Sequence, residues 1–197
     1  MSNLYVYTMR SRNKDNKEIK NFKERIKTII EYDYNENKIF KEFNSFVKDG
    51  LPGEKTRLYK SVNSRNEEKI REGLIIKLLK DKPPITKMNK VIASVAQQVE
   101  NRDESKWLFD FDIDDEKLLY NFIDDIKNFS AMYWDDKKTE LAIKEVNCNY
   151  YKTPNGYAIV IDHGFDTREL MEKWKDYDIT IKKDELLFLS IKENNEN

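Results

Sequence analysis

The run Lys106-Trp-Leu-Phe-Asp-Phe-Asp-Ile-Asp-Asp115 constrains this chain more than any other stretch. Apolar and acidic residues alternate through it. As a strand it sends Phe109, Phe111 and Ile113 to one face and Asp110, Asp112 and Asp114 to the other. Same-face neighbours on a strand lie roughly 6 to 7 Å apart, a separation at which two carboxylates reach one divalent cation or two adjacent ones. Carboxylates held that close repel, so such a face calls for a cation or a bound proton. Oxygen-only ligands favour Mg²⁺ or Mn²⁺ over zinc. The competing reading is a strand that runs out into a polar turn, with Asp114 or Asp115 capping a helix that begins near Glu116. That second reading suits Asp114 and Asp115. Asp110 and Asp112, inside the apolar alternation, stay open between the two.

Composition excludes several classes. The single Cys148 forms neither an internal disulfide nor a thiolate zinc site. With no leader-like or long apolar span, a cytoplasmic protein without a membrane partner is expected. Charged residues make up 37% of the 197 positions and nearly cancel, to a formal net charge of -1. Their distribution is uneven: residues 1–106 carry 24 Lys/Arg against 16 Asp/Glu, and residues 107–197 carry 12 against 21. This asymmetry suits a phosphate-binding surface beside an acidic, metal-binding one; ordinary solvated helix faces give the same counts.

In chain order, Leu4-Tyr-Val-Tyr7 reads as a short strand. Ile19, Phe22, Ile26, Ile29 and Ile30 recur at helical spacing and predict an amphipathic helix from Asp15 to about Glu31. Ile39, Phe40, Phe43, Phe46 and Val47 predict a second helix, closed by Gly50 and Pro52. Arg57 to Asn63 reads as a strand, and Ser64-Arg-Asn-Glu67 as a capping box for a helix carrying Ile70, Leu74 and Leu78. Pro83-Pro84 ends it, and Met88, Val91, Ile92, Val95 and Val99 mark another helix.

Beyond residue 106 the expected order is the aspartate strand, a helix through Leu118 to Ile126, a strand Leu141 to Val146, a turn at Thr153 to Gly156, a strand Tyr157 to Ile161, and a helix opened by a capping box at Asp166 to Glu169. Two closing strands, Tyr177 to Ile181 and Leu186 to Ser190, follow. Up to the first of these the order is βαββαβ, a split-βαβ sheet with helices on one face. The predicted division is an N-terminal, mainly helical region over 1–105, a core over 106–191 and a tail over 192–197, all in one α+β domain.

Three short motifs stand in order: Leu108-Phe-Asp-Phe-Asp112, Lys152-Thr-Pro-Asn-Gly156 entering a strand, and the Asp of Tyr177-Asp-Ile-Thr-Ile181. Together they resemble the catalytic core of the archaeo-eukaryotic primase superfamily, including primase-polymerases of phages and plasmids. The resemblance implies an RRM-like sheet, with Asp110, Asp112 and Asp178 as catalytic carboxylates holding Mg²⁺ or Mn²⁺. Lys152, Thr153 and Asn155 would lie beside the nucleotide, and Arg57 and Arg65 would touch phosphates. Nucleic acid and nucleoside triphosphates are the implied partners, and metal-dependent nucleotidyl transfer on a template is the implied activity. One departure is plain. The family's second motif places a His two residues after the turn's Gly, where this chain has Ala158, and its single histidine, His163, lies five residues further on. The alternative is therefore a degenerate relative that binds nucleic acid, a nucleotide or a protein. Metal-dependent phosphodiester hydrolysis by the same carboxylates is a third reading. Tyr150, Tyr151 and Tyr157 are candidates for base stacking or for packing.

Overall fold

The computed structural model describes residues 3–131, 133–134, 141–142 and 146–195. The chain divides into two units, one formed by Met1–Glu104 with Leu186–Asn197 and the other by Ser105–Glu185.

The first unit is built on β1 (Leu4–Ser11), β2 (Arg25–Tyr32), α1 (Glu36–Lys48), β3 (Lys55–Ser61), α2 (Glu67–Asp81) and α3 (Met88–Ala96), completed by the chain's last strand, β10 (Leu186–Glu193). Its antiparallel sheet has the order β10-β3-β1-β2. Strand alternation explains how this sheet is covered on both sides. Tyr5, Tyr7 and Met9 of β1 join Leu58 of β3 in a cluster with Ile39, Phe43, Phe46 and Val47 of α1. Val6, on the opposite side of β1, packs with Ile70 of α2 and Val95 and Ala96 of α3.

Several expectations change here. Residues 25–32 form an edge strand rather than part of a helix, because Ile26, Thr28, Ile29 and Ile30 are β-branched and pair residue by residue with β1. The N-terminal region is accordingly a sheet with helices on it, not a mainly helical extension. The segment from Leu186 joins β3, not the core ahead of it, and runs to Glu193, so residues 192 and 193 are strand rather than tail. The α2 cap also moves. Asn66 accepts from Lys69 N at 2.9 Å, whereas the Ser64 hydroxyl donates to Glu104.

The second unit contains β4 (Trp107–Phe111), α4 (Glu116–Ser130), β5 (Tyr133–Trp134), β6 (Leu141–Ala142), β7 (Cys148–Lys152), β8 (Tyr157–Ile161), α5 (Arg168–Lys173) and β9 (Ile179–Lys182). Its main sheet has the order β7-β8-β4-β9, antiparallel throughout. Leaving aside the two-residue hairpin β5-β6, this is strand, helix, two strands, helix, strand. β4 and β7 run the same way with β8 between them, and β8 and β9 run the same way with β4 between them. The strand expected over 141–146 is two residues long where described; the sheet's second strand is β7 instead. The loop expected at 135–138 lies outside the described residues.

Phe109 and Phe111 of β4 and Tyr157, Ile159 and Ile161 of β8 face Leu119, Phe122, Ile123 and Ile126 of α4 and Leu170 of α5. Phe122 sits at the centre, its ring 5.5 Å from Phe109, 5.4 Å from Phe111 and 5.1 Å from Trp174. Asp115 caps α4 by accepting from Leu118 N at 3.0 Å. The second capping box does not form as expected; α5 begins at Arg168, and Asp166 instead holds the Arg168 side chain. No helix among the described residues is long and apolar enough to cross a membrane.

Candidate carboxylate face

With Phe109 and Phe111 turned to the helices, the pleat turns Leu108 and Asp110 of β4 to the sheet's other face. Register adds their neighbours. Ala158 of β8 stands directly opposite Asp110 on one side and Thr180 of β9 on the other; Tyr151 of β7 stands opposite Ala158. Lys182 stands opposite Leu108, one same-face step from Asp110. Beyond the end of β4, Asp112 N donates to Asp178 O at 3.1 Å, which continues the β4-β9 register and sets these two aspartates across from each other. The backbone thus gathers Asp110, Asp112, Asp178 and Ala158 at one end of one sheet face.

Gly156 belongs to this geometry. A Cβ there would meet Phe111 O at 2.2 Å and Ile113 N at 2.6 Å, so the turn after β7 approaches the end of β4 more closely than a side chain allows. Thr153 shapes the turn, its backbone N bonding Gly156 O at 2.9 Å and its hydroxyl accepting from Gly156 N at 3.1 Å. Asn155 is exposed at the tip.

The side chains set a different electrostatic arrangement from two cations on three carboxylates. Lys182 Nζ lies 2.6 Å from Asp110 Oδ2, with the carboxylate 28% exposed. Burial works against the Lys182 charge, yet the hydrogen bond and charge of Asp110, with smaller contributions from Glu185 and Asp112, hold its pKa above the ordinary lysine value. Asp112 and Asp178 are exposed. Among the described residues no group of three His, Cys, Asp or Glu side chains stands close enough to hold a metal ion. The donor set therefore does not fit a two-cation centre; the cation that meets Asp110 is a lysine.

The remaining predicted site residues are dispersed. Lys152 turns to the helix side of the sheet, its ammonium 4.3 Å from the centre of the Tyr157 ring and paired with Asp114. Arg57 and Arg65 belong to the other unit. Arg57 Nη2 holds Asp15 at 2.5 Å, and Arg65 is buried, its N–H bonding Leu4 O at 2.7 Å. His163 follows the end of β8, and its Nδ1 pairs with Asp162 at 2.7 Å. Tyr157 is buried and Tyr150 packs edge-on against Tyr120 and Tyr157. Tyr151, 42% exposed, lies on the Asp110 face. Trp107 packs against the core, with Lys183 over its ring.

Lys182 lies one residue beyond the strand that the sequence predicts, which ends at Ile181. Continuing its alternation from Asp178 through Thr180 reaches Lys182 on the same face. Comparisons with protein-family models, with curated proteins and with solved structures return no match.

Proposed function

We propose that this chain is a primase-polymerase-like protein that uses an RRM-like sheet to bind single-stranded nucleic acid and does not transfer nucleotides. The observation that carries this reading is the Asp110–Lys182 ion pair, at 2.6 Å, with Ala158 directly across from Asp110. In the family that the motifs resemble, those places belong to metal-binding carboxylates and a His. Here a lysine neutralises the carboxylate and a methyl group replaces the imidazole. What remains is a candidate binding surface: the exposed Tyr151 and Asn149 on β7, the exposed Thr180 and the half-buried, Asp110-paired Lys182 on β9, with base stacking on Tyr151 as its natural chemistry.

Two assays test it. With a labelled primer-template, nucleoside triphosphates and Mn²⁺ or Mg²⁺, no extension is expected. Extension that disappears in Asp110→Ala would overturn the reading in favour of metal-dependent transfer. Fluorescence anisotropy with a labelled oligothymidylate is expected to show binding, weakened roughly tenfold in Tyr151→Ala, in line with about 1–3 kcal/mol per stacked base. No binding at low salt sinks the proposal.

A further inference from the structure

The first unit's sheet ends on β2, and that edge is open. Hydrogen bonding on β1 fixes which main-chain groups of β2 are used. Val6 N donates to Ser61 Oγ and Leu4 O accepts from Arg65 N, both on the β3 side. The even-numbered residues of β1 therefore point their N–H and C=O groups to β3, and the odd-numbered ones point theirs to β2. The bond from Asp33 N to Asn3 O, at 3.0 Å, continues that odd-with-odd pairing. With Tyr5 opposite Glu31, Tyr7 opposite Ile29 and Met9 opposite Lys27, the odd-numbered residues of β2 are satisfied by β1. Ile26, Thr28, Ile30 and Tyr32 aim their groups outward. Tyr32 N is taken by the Glu31 carboxylate at 3.1 Å. Among the described residues no partner meets the N–H and C=O groups of Ile26, Thr28 and Ile30.

Little else protects this edge. β2 keeps register with β1 over all 8 of its residues, without proline or bulge, whereas β10 at the opposite edge is interrupted between Phe188 and Ser190. Charged side chains that would repel an incoming strand are already neutralised: Lys27 by Glu42 at 2.7 Å, Glu31 by Lys38 and Arg25 by Glu54. Beside the edge, α1 and α3 wall a cleft of about 950 Å³ whose apolar lining includes Ile26, Ile30 and Ile92. Ile26 is 61% exposed. Free main-chain groups with an apolar cleft alongside are what the addition of a further strand requires.

We infer that β2 is the seam of a symmetric dimer, in which it pairs antiparallel with β2 of a second copy of this chain. The occupant follows from the strand's complementarity to itself. A two-fold axis normal to the sheet keeps each face on its own side, so even-numbered residues meet even-numbered ones. With the axis at Thr28, that residue pairs with Thr28 of the second copy, and Ile26 pairs with Ile30 of the second copy at both ends. Every free N–H and C=O group of Ile26, Thr28 and Ile30 is then bonded. The exposed Ile26 gains a β-branched neighbour, and Arg25 comes opposite Glu31 of the second copy, unlike charge to unlike charge. Other registers are poorer. A shift one way brings in Tyr32, whose N–H is already used, and a shift the other way calls on Glu24, which lies outside the strand. The two four-stranded sheets become one continuous sheet, an arrangement that does not depend on the nucleic-acid reading above.

The test is sedimentation equilibrium of the full chain over a dilution series, joined to amide hydrogen exchange. Twice the chain mass is expected at the concentrated end, with dissociation on dilution. Over the same series the Ile26, Thr28 and Ile30 amides should exchange more slowly as the dimer forms, while those of Lys27 and Ile29, bonded to β1, stay slow throughout. Ile26→Lys alters an exposed side chain, so its circular dichroism should match that of the unmodified chain. Its dimer dissociation constant should rise roughly tenfold, because the symmetry repeats the change at both ends of the seam. A chain that stays monomeric at the highest concentration overturns the inference. So does a dimer that Ile26→Lys leaves unchanged, or one in which the three outward amides exchange as fast as in the monomer. The same amides slowed only by an added extended peptide would assign the edge to a foreign strand and equally overturn it.

Discussion

The two four-stranded sheets of this protein are both antiparallel, but they are covered differently. In the first unit α1 packs on one face and α2 and α3 on the other, so the central strand β1 is buried along most of its length. In the second unit α4 and α5 pack on one face; the other still buries Leu108, Ala158 and Val160 but leaves Asp110, Tyr151, Thr180 and Lys182 partly or fully in solvent. A sheet enclosed on both sides presents polar groups only from its ends and connections. A sheet with helices on one side presents them from its strands, as the carboxylate face does. The acids differ accordingly. Glu54 and Asp15 in the first unit are gripped by arginines and backbone, whereas Asp112 and Asp178 in the second stand exposed.

The largest way to break this contrast is to empty one core. Phe122→Ala, at a fully buried ring between Phe109, Phe111 and Trp174, should cost about 3–5 kcal/mol in chemical denaturation. Amide exchange should accelerate in β4 and β8 and stay slow in β1 and β3; uniform acceleration would show that the two cores do not respond separately.

Next in size is the acid chemistry of the first unit. Glu54 is buried, and although burial pushes its pKa up, bonds from Leu51 N, Ser11 and Arg25 outweigh that and lower it below the ordinary 4.5. Burial likewise opposes the lowering of Asp15 below 3.8, and hydrogen bonds from Arg12 and Arg57 bring it about. Both groups bind protons more weakly folded than unfolded. Their stabilisation is complete above about pH 4.5 and is lost as pH falls through the depressed folded values. Glu54→Ala should cost about 2–3 kcal/mol at neutral pH and reduce the steepness of acid unfolding. An unchanged acid limb would show that these acids are not what holds the unit at low pH.

A smaller effect is expected on the carboxylate face. Lys182→Ala removes a partly exposed pair and should cost about 1 kcal/mol in the second unit. The helix caps give the finest comparison. Asp115→Ala and Asn66→Ala, one in each unit, should each cost about 0.5–1 kcal/mol, read as a shift of the denaturation midpoint with unchanged slope.

Several features were legible in the sequence because their signals are local. The alternation of Trp107 to Phe111, the apolar stripes of α1 and α4, the Thr153 to Gly156 turn and the Asp115 cap each lie within a few residues. Parity alone set Asp110 opposite in face to Phe109 and Phe111, and order alone placed Asp178 at the mouth of a late strand. Where local signals conflict, tertiary pairing decided. Ile26, Ile29 and Ile30 satisfy a helical spacing as well as a β-branched strand, and hydrogen bonding to β1 selected the strand. Leu186 to Glu193 looks like any closing strand, and only the vacant edge of β3 determined which sheet it completes. The Asp110–Lys182 pair joins residues 72 apart, and Arg57 reaches Asp15 across 42. Partners so far apart leave no periodic trace in the chain. They are chosen by strand register and by the layer each side chain must enter, quantities that exist only once the sheets have formed.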